Sequence, residues 1–422
     1  MSWPWLFFAV SVIGALFTWN AWRPRPAYAS WLVVPSFFAG WLTSELVQHH
    51  IAWQVVATAG FFWMGALGAW PGWIGLGISL ASWSTLYVMW REARRADRVL
   101  EHALRRGLGA DYASAAAGIE STLHAARERR ATRWNPFAFA HPDVRVVRDV
   151  AYGDAGRRHL LDVYLPRDGA KDAPVLLQIH GGGWTIGDKR QQAQPLLARL
   201  AASGWVCVAA NYRLSPKVAF PEHLVDVKRA IAWVRAHAGE YGGDARFLAI
   251  TGGSAGGHLA ALAALTANDP IYQPGFEATD TSIQACVPFY GQYDFANSLG
   301  LDARGTHLRF LERIVMKRTL AEDPEAFRRA SPIACVHADA PPFLVIHGTH
   351  DSLIPVAMAR SFSERLRSVS HAPVCYAELP QAQHAFEVFH STRTHHVVAA
   401  ADHFLAWTWA RWRTAQRGRD AA

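Results

Sequence analysis

The chain has 422 residues, of which 51% are hydrophobic and 18% charged, with a net charge of +8. That balance excludes a disordered or low-complexity chain, which would be charge-rich and poor in aromatics. Residues 1–90 carry only three formal charges, Arg23, Arg25 and Glu45, yet hold 12 of the 19 tryptophans. A water-exposed domain needs more surface charge, so the chain divides into a membrane part and a soluble part.

The run Trp3 to Trp22 has no charge and is long enough, at 1.5 Å per residue, for the ~30 Å hydrocarbon core. Ala27-Tyr28-Ala29 resembles a signal-peptidase site. However, no Lys or Arg precedes the run and Arg-Pro-Arg-Pro separates it from that site, which favours an uncleaved span. A second run covers Ala29 to Val47. Ile51 to Trp90 is uncharged and too long for one span, and Pro71-Gly72 is a turn signal inside it. Four membrane helices are expected within 1–90, with three as the alternative. Residues 91–133 contain ten Arg and six acidic residues, a juxtamembrane excess of the kind that holds a helix end at anionic headgroups. Region 91–140 reads as an amphipathic linker or cap with a solvated charged face. Positive charge after the last span puts the catalytic part on the cytoplasmic side of a multi-pass protein in the cell membrane. Four spans would put the N-terminus on that side too, and three spans on the other.

From 141 to 422 the pattern becomes α/β. Val144–Tyr152 and His159–Leu165 read as strands across a Gly-Asp-Ala-Gly turn. Val175–Ile179, Trp205–Ala210, Phe247–Ile250, Ala285–Phe289, Phe343–Ile346 and Val374–Glu378 follow. Helices are expected near Gln191–Ala202, Glu222–His237 and Ser254–Thr266. Strands alternating with helices predict a mostly parallel sheet covered on both faces. No nucleic-acid-binding module is present, and the four scattered cysteines form no CxxC pair.

Gly252-Gly253-Ser254-Ala255-Gly256 follows an apolar strand and opens an Ala-rich helix. This is G-x-S-x-G in the strand–turn–helix setting that a nucleophilic serine requires. No Lys follows as in a P-loop. His180-Gly181-Gly182-Gly183-Trp184 ends an earlier strand, and its glycines can turn N–H groups toward an oxyanion. Gly182, Gly183 and Ala255 are the assigned donors, with His180 ordering the loop. Asp351 lies just past the strand Phe343–Ile346, and His384 lies on the loop after the last strand. Both follow Ser254 in the order a hydrolase triad needs. Asp294, after Ala285–Phe289, is the rival acid. His347 and His350 lack a third ligand at matching spacing, so no metal site is expected, and no cofactor is implied.

With these motifs assembled, the chain resembles the α/β-hydrolase fold. More narrowly, it is similar to the HGGG-bearing carboxylesterases and lipases related to hormone-sensitive lipase. The resemblance rests on His180–Trp184, Asn211-Tyr212-Arg213-Leu214-Ser215-Pro216, Phe220-Pro221 and Gly252–Gly257, and covers about 141–415. The apolar spans look like those of a membrane-anchored actinobacterial branch. Two positions depart from that pattern. Gly253 stands where those relatives usually carry Asp, and His347–Pro355 looks like the acid loop of feruloyl-esterase, acetylxylan-esterase and kynurenine-formamidase relatives. The resemblance implies hydrolysis of short- or medium-chain acyl esters through an acyl-enzyme on Ser254. The substrate would be a small or lipid-like ester, with membrane lipids as surroundings and segments 292–330 and 91–140 covering the pocket. Amide chemistry on the same triad, as in a formamidase or peptidase, is the alternative.

Overall fold

The computed structural model describes residues 2–24, 33–114 and 135–420. Arg25, the Ala27–Ala29 motif and residues 115–134 lie outside the described residues.

Eight strands form one sheet: β1 (Val144–Ala151), β2 (Leu160–Pro166), β3 (Ala173–Ile179), β4 (Val206–Ala210), β5 (Gly243–Gly253), β6 (Ala285–Phe289), β7 (Phe343–Gly348) and β8 (Val374–Leu379). Their spatial order is β1-β2-β4-β3-β5-β6-β7-β8. β2 pairs antiparallel with both β1 and β4, and every other pair is parallel. The inner strands β3, β4, β6 and β7 are buried along their whole length because both faces of the sheet are covered there. Along β3, Val175, Leu177 and Ile179 enter one core while Leu176 enters the other. β5 divides likewise, with Leu248 and Ile250 on the first side and Phe247 and Ala249 on the second.

Five longer helices follow or separate these strands: α6 (Gln194–Ala202), α7 (Glu222–His237), α8 (Ala255–Leu265), α9 (Val356–Val369) and α10 (Thr392–Asp420). α8 is buried throughout. Its glycines let it press backbone to backbone on the sheet, since a Cβ at Gly256 would overlap the Ile179 carbonyl.

Ahead of the sheet stand α1 (Trp3–Trp22), α2 (Val33–Glu45), α3 (Val47–Trp63), α4 (Trp70–Arg94) and α5 (Ala96–Leu108). α1 and α4 run parallel along a seam of small residues. Ser79 Oγ donates to Ser11 Oγ (3.1 Å), and the Thr18 and Ser82 hydroxyls lie 2.6 Å apart. α3 runs the opposite way, with Phe61 against Phe7 and the Gln54 Oε1 accepting from Trp83 Nε1 (2.9 Å). α1 and α4 therefore both run toward the sheet domain, and α3 runs away from it.

Among the described residues, α1 alone is long and apolar enough to cross a membrane by length and hydropathy together. The expected four spans are not what these helices form. α2 has 13 residues, about 20 Å of helix; one side of it is covered by the sheet domain, while Phe38 and Leu42 on the other side stay exposed. Phe37 is buried in the core on one sheet face. Trp41 stacks on Phe389 with ring centres 4.6 Å apart and donates from Nε1 to the Ala385 carbonyl (2.8 Å). Glu45 is buried in an ion pair with Arg393 and accepts from Ser391 Oγ (3.0 Å). α5 is likewise packed: Ala96, Leu100, Ala103 and Leu104 are buried in that same core, and Gly107 sits directly on Cys375 of β8. Its charged face remains outside, with Arg105 and Glu101 paired in solvent.

Candidate active site

Ser254 occupies the turn between β5 and α8 with φ 58° and ψ −121°. A non-glycine residue rarely takes positive φ, and strain of this kind collects at functional sites. The flanking glycines are required by close approaches. A Cβ at Gly252 would lie 2.6 Å from the Ile179 carbonyl oxygen, and one at Gly253 would lie 2.6 Å from the Tyr290 hydroxyl. Ser254 N–H donates to the Phe289 carbonyl (3.0 Å), which ties the elbow to the end of β6.

The HGGG loop leaves β3 beside this elbow. Gly182 has φ 113° and Gly183 φ 58°. The Gly182 carbonyl accepts from Thr185 N and Ile186 N, both at 3.1 Å, and Gly181 N–H donates to Gln192 Oε1 (2.6 Å). These bonds fold the loop without using the N–H groups of Gly182 and Gly183. Ala255 is the first residue of α8, so its N–H has no partner one turn back. His180 is buried and stacks on Tyr212 at 4.4 Å, with Nδ1 2.7 Å from the Gly181 carbonyl. Burial lowers its pKa to about 4, so it is a neutral ordering element at pH 7. Segment 292–330 reaches this loop through Phe310, 3.8 Å from where a Gly183 Cβ would stand.

His384 and Asp351 meet as a pair, Nδ1 to Oδ2 at 2.7 Å. Asp351 is fully buried and accepts two more hydrogen bonds, from the N–H groups of Leu353 and Ile354, both at 2.8 Å. His347 Nε2 bonds the Ile354 carbonyl (3.0 Å) and also lies 3.0 Å from Asp351 Oδ2. Burial alone would raise the Asp351 pKa, but the His384 and His347 imidazoles outweigh it and hold the carboxyl well below the usual range. The rival Asp294 instead accepts from Leu299 N–H (2.8 Å). The Tyr290 ring lies 4.4 Å from that of His384 and its hydroxyl lies over Gly253. Elbow and histidine thus flank one residue.

Three participants were not singled out from the sequence. Gln383 Oε1 accepts from Ser352 N (2.8 Å) and His384 N (2.9 Å), joining the acid loop to the histidine loop. His347, weighed only as a metal ligand, is a second imidazole beside Asp351. Glu387 is a buried carboxyl that receives the Tyr290 hydroxyl. The last had no motif to mark it, whereas Gln383 adjoins the histidine and His347 opens the acid loop. Phe37 of α2 meets the His384 ring edge-on at 6.0 Å. Among the described residues there is no cluster of three metal-ligating side chains.

The family model described as BD-FAE matches residues 161–366. The probable carboxylic ester hydrolase LipM of Mycobacterium tuberculosis is 43% identical over 413 residues, covering 95% of this chain and 93% of its own. Esterase LipQ of the same organism is 41% identical over 404 residues, 94% of this chain and 88% of its own. Among solved structures, esterase 2 of Thermogutta terrifontis with bound butyrate superposes with a TM-score of 0.53 at 26% identity, covering 65% of this chain and 96% of that one. The chain therefore belongs to the LipM and LipQ family of carboxylic ester hydrolases, serine hydrolases built on the α/β-hydrolase fold.

Proposed function

We propose that the chain is a membrane-attached carboxylesterase that forms an acyl-enzyme on Ser254. The observation that carries this reading is the 2.7 Å His384–Asp351 pair set beside the strained Ser254 elbow. Ser254 Oγ attacks the ester carbonyl carbon and its proton passes to His384 Nε2. Asp351 holds the imidazole by Nδ1–H and stabilises the imidazolium. The carbonyl oxygen gains charge facing the N–H groups of Gly182, Gly183 and Ala255. Collapse breaks the ester C–O bond, and His384 returns the proton to the leaving alcohol. Water then repeats the sequence and releases the acid.

Short acyl chains are favoured by the likeness to the Thermogutta esterase, whose structures hold butyrate and propionate. Membrane attachment through 1–90 is supported by the outward faces of the N-terminal helices, where Trp19, Val56, Trp63, Trp73 and Leu80 are exposed. The α1–α4 seam favours a retained first helix over a cleaved signal. With α1 and α4 parallel and α3 opposed, three crossings fit better than four. Residue 1 then lies opposite the catalytic domain, 141–422, with 91–140 as the joining cap. Arg23 and Arg91–Arg98 fall on one side, the cytoplasmic one by the positive-inside rule. Because α2 touches His384, the active site opens near the bilayer surface, which suits a lipid-like ester.

A fluorophosphonate probe should label wild type on Ser254 and leave Ser254→Ala unlabelled. A series of esters from acetate to laurate should show its highest kcat/KM among the shorter chains. Turnover retained in Ser254→Ala would end the acyl-enzyme reading. Extraction of the chain by alkaline carbonate would end the membrane one.

A further inference from the structure

A cavity of about 560 Å3, lined by neither the triad nor the donor loop, lies where the helical part meets the sheet domain. Its walls are the bend between α2 and α3, the last turn of α4, part of α6 and the first turn of α10. Three guanidinium groups line it, Arg94, Arg199 and Arg393, against one carboxylate, Glu45. Arg393 is paired with Glu45, and Arg199 with Asp402 at 2.7 Å. Arg94 has no carboxylate partner among the described residues, and its guanidinium stacks on the Trp90 ring at 5.2 Å. The lining thus carries excess positive charge, reinforced by the N-terminal end of the 29-residue α10, where the helix dipole favours anions.

Two lining residues carry buried donors that have no acceptor among the described residues: Trp90 Nε1–H and Arg393 Nε–H. Buried donors are almost always satisfied, and leaving one unmade is costly. An acceptor-rich anion in the cavity would meet the free Arg94 charge, and a small turn of the Trp90 and Arg393 side chains would bring both donors to its oxygens. The cavity also lies at the sheet-domain end of α4, level with Arg91, Arg95 and Arg98, where a membrane surface would present such groups.

We propose that this cavity binds a phosphate group, supplied by the headgroup of an anionic phospholipid. The lipid source rests on the membrane reading above; the phosphate chemistry does not.

The test uses the full chain in detergent, titrated with phosphatidylglycerol, phosphatidylcholine or inorganic phosphate and read by native mass spectrometry. Phosphatidylglycerol should be retained in preference to phosphatidylcholine. Arg94→Gln should weaken that retention by about fivefold, the value of one basic residue at an anionic surface. Trp90→Phe keeps the ring under Arg94 but loses the N–H, and should weaken it too. Both variants should keep wild-type turnover of a soluble ester, which shows that they fold. Binding of inorganic phosphate that both substitutions weaken, without any preference between the lipids, would uphold the phosphate site and overturn its lipid source. Equal retention of both lipids with no phosphate binding, or binding indifferent to both substitutions, would overturn the site. Carbonate extraction of the chain would refute membrane attachment while leaving the phosphate arm standing.

Discussion

Tyr290 donates its hydroxyl hydrogen to the buried carboxyl of Glu387 while its ring lies 4.4 Å from that of His384. The same hydroxyl fills the space over Gly253 that a side chain would need. Relatives of hormone-sensitive lipase usually carry Asp at that position. In this chain a carboxyl group is instead delivered from the histidine loop, three residues beyond His384. Glycine before the nucleophile and Tyr290 after β6 are therefore one structural solution.

Burial raises the Glu387 carboxyl from 4.5 to about 7, against the opposing hydrogen bond from Tyr290. Between those values the folded chain holds a proton that the unfolded chain has released. Stability from this group is therefore full below pH 4.5, falls as pH rises to about 7 and is level above that. Glu387→Gln stays neutral and escapes the loss. Its unfolding free energy should gain on wild type between those limits, by on the order of 3 kcal/mol. Thermal unfolding of the detergent-solubilised chain across that range measures this. A difference that does not change with pH would show that Glu387 is already ionised in the folded chain.

Gly253→Ala should push Tyr290 out of place. The cost should be about 1–3 kcal/mol, typical of overpacking, with kcat falling because His384 loses its neighbour. Tyr290→Phe removes the atom nearest the added methyl, so the double variant should recover part of the loss. A double-mutant cycle reports that coupling. Strictly additive effects would mean that the two positions do not share this space.

The donor loop distinguishes its two glycines. A Cβ at Gly182 would overlap the Ile186 carbonyl, whereas one at Gly183 finds only Phe310 and Thr185 at 3.8 and 3.9 Å. Gly183 sits at φ 58°, where an alanine is strained by about 1–2 kcal/mol. Gly182→Ala should therefore abolish turnover, a loss of roughly 10²–10³ in kcat or more, while Gly183→Ala keeps measurable activity. Steady-state kinetics on one soluble ester decides it, and the reverse ranking would misplace the loop.

The acid is tested by Asp351→Asn, which should cut kcat by a factor on the order of 10⁴ by holding the wrong tautomer of His384. Asp294→Asn should cost far less, because Asp294 caps its own loop at Leu299. If Asp294→Asn were the more damaging change, the acid would have been misassigned.

The strands along the chain and the loops that carry Ser254, Asp351 and His384 could be read from sequence because each has a local signature. A serine elbow needs glycines, a strand before it and a helix after it, all within about a dozen residues. The acid and histidine each follow a strand, so the expected strands Phe343–Ile346 and Val374–Glu378 placed them. What stayed hidden joins distant segments. Glu45 pairs with Arg393, and Trp41 binds the Ala385 carbonyl, across more than 300 residues. An apolar run reads alike whether lipid or protein covers it, so Phe37 and Trp41 looked like membrane-facing residues. Only their contacts with the histidine loop reveal α2 as part of the sheet domain's core.

That difference changes the expected topology. A four-span chain would return residue 1 to the side of the catalytic domain. Here α2 lies along the sheet domain, α1 and α4 run parallel, and α3 is antiparallel to them, so on the membrane reading proposed above the count of crossings is three. Arg23 and the cluster Arg91, Arg94, Arg95 and Arg98 then share one side, so the positive-inside rule is obeyed at both ends instead of broken at one. A tag at residue 1 should be reached by protease in intact cells, while a tag at the C-terminus should need lysis. Native thiols are poor reporters here because Cys207, Cys286 and Cys375 are buried and only Cys335 is partly exposed, so the tags carry the experiment. Protection of both tags in intact cells would restore an even number of crossings. Cleavage at the C-terminal tag alone would place the catalytic domain outside and show that the arginine cluster does not set its side.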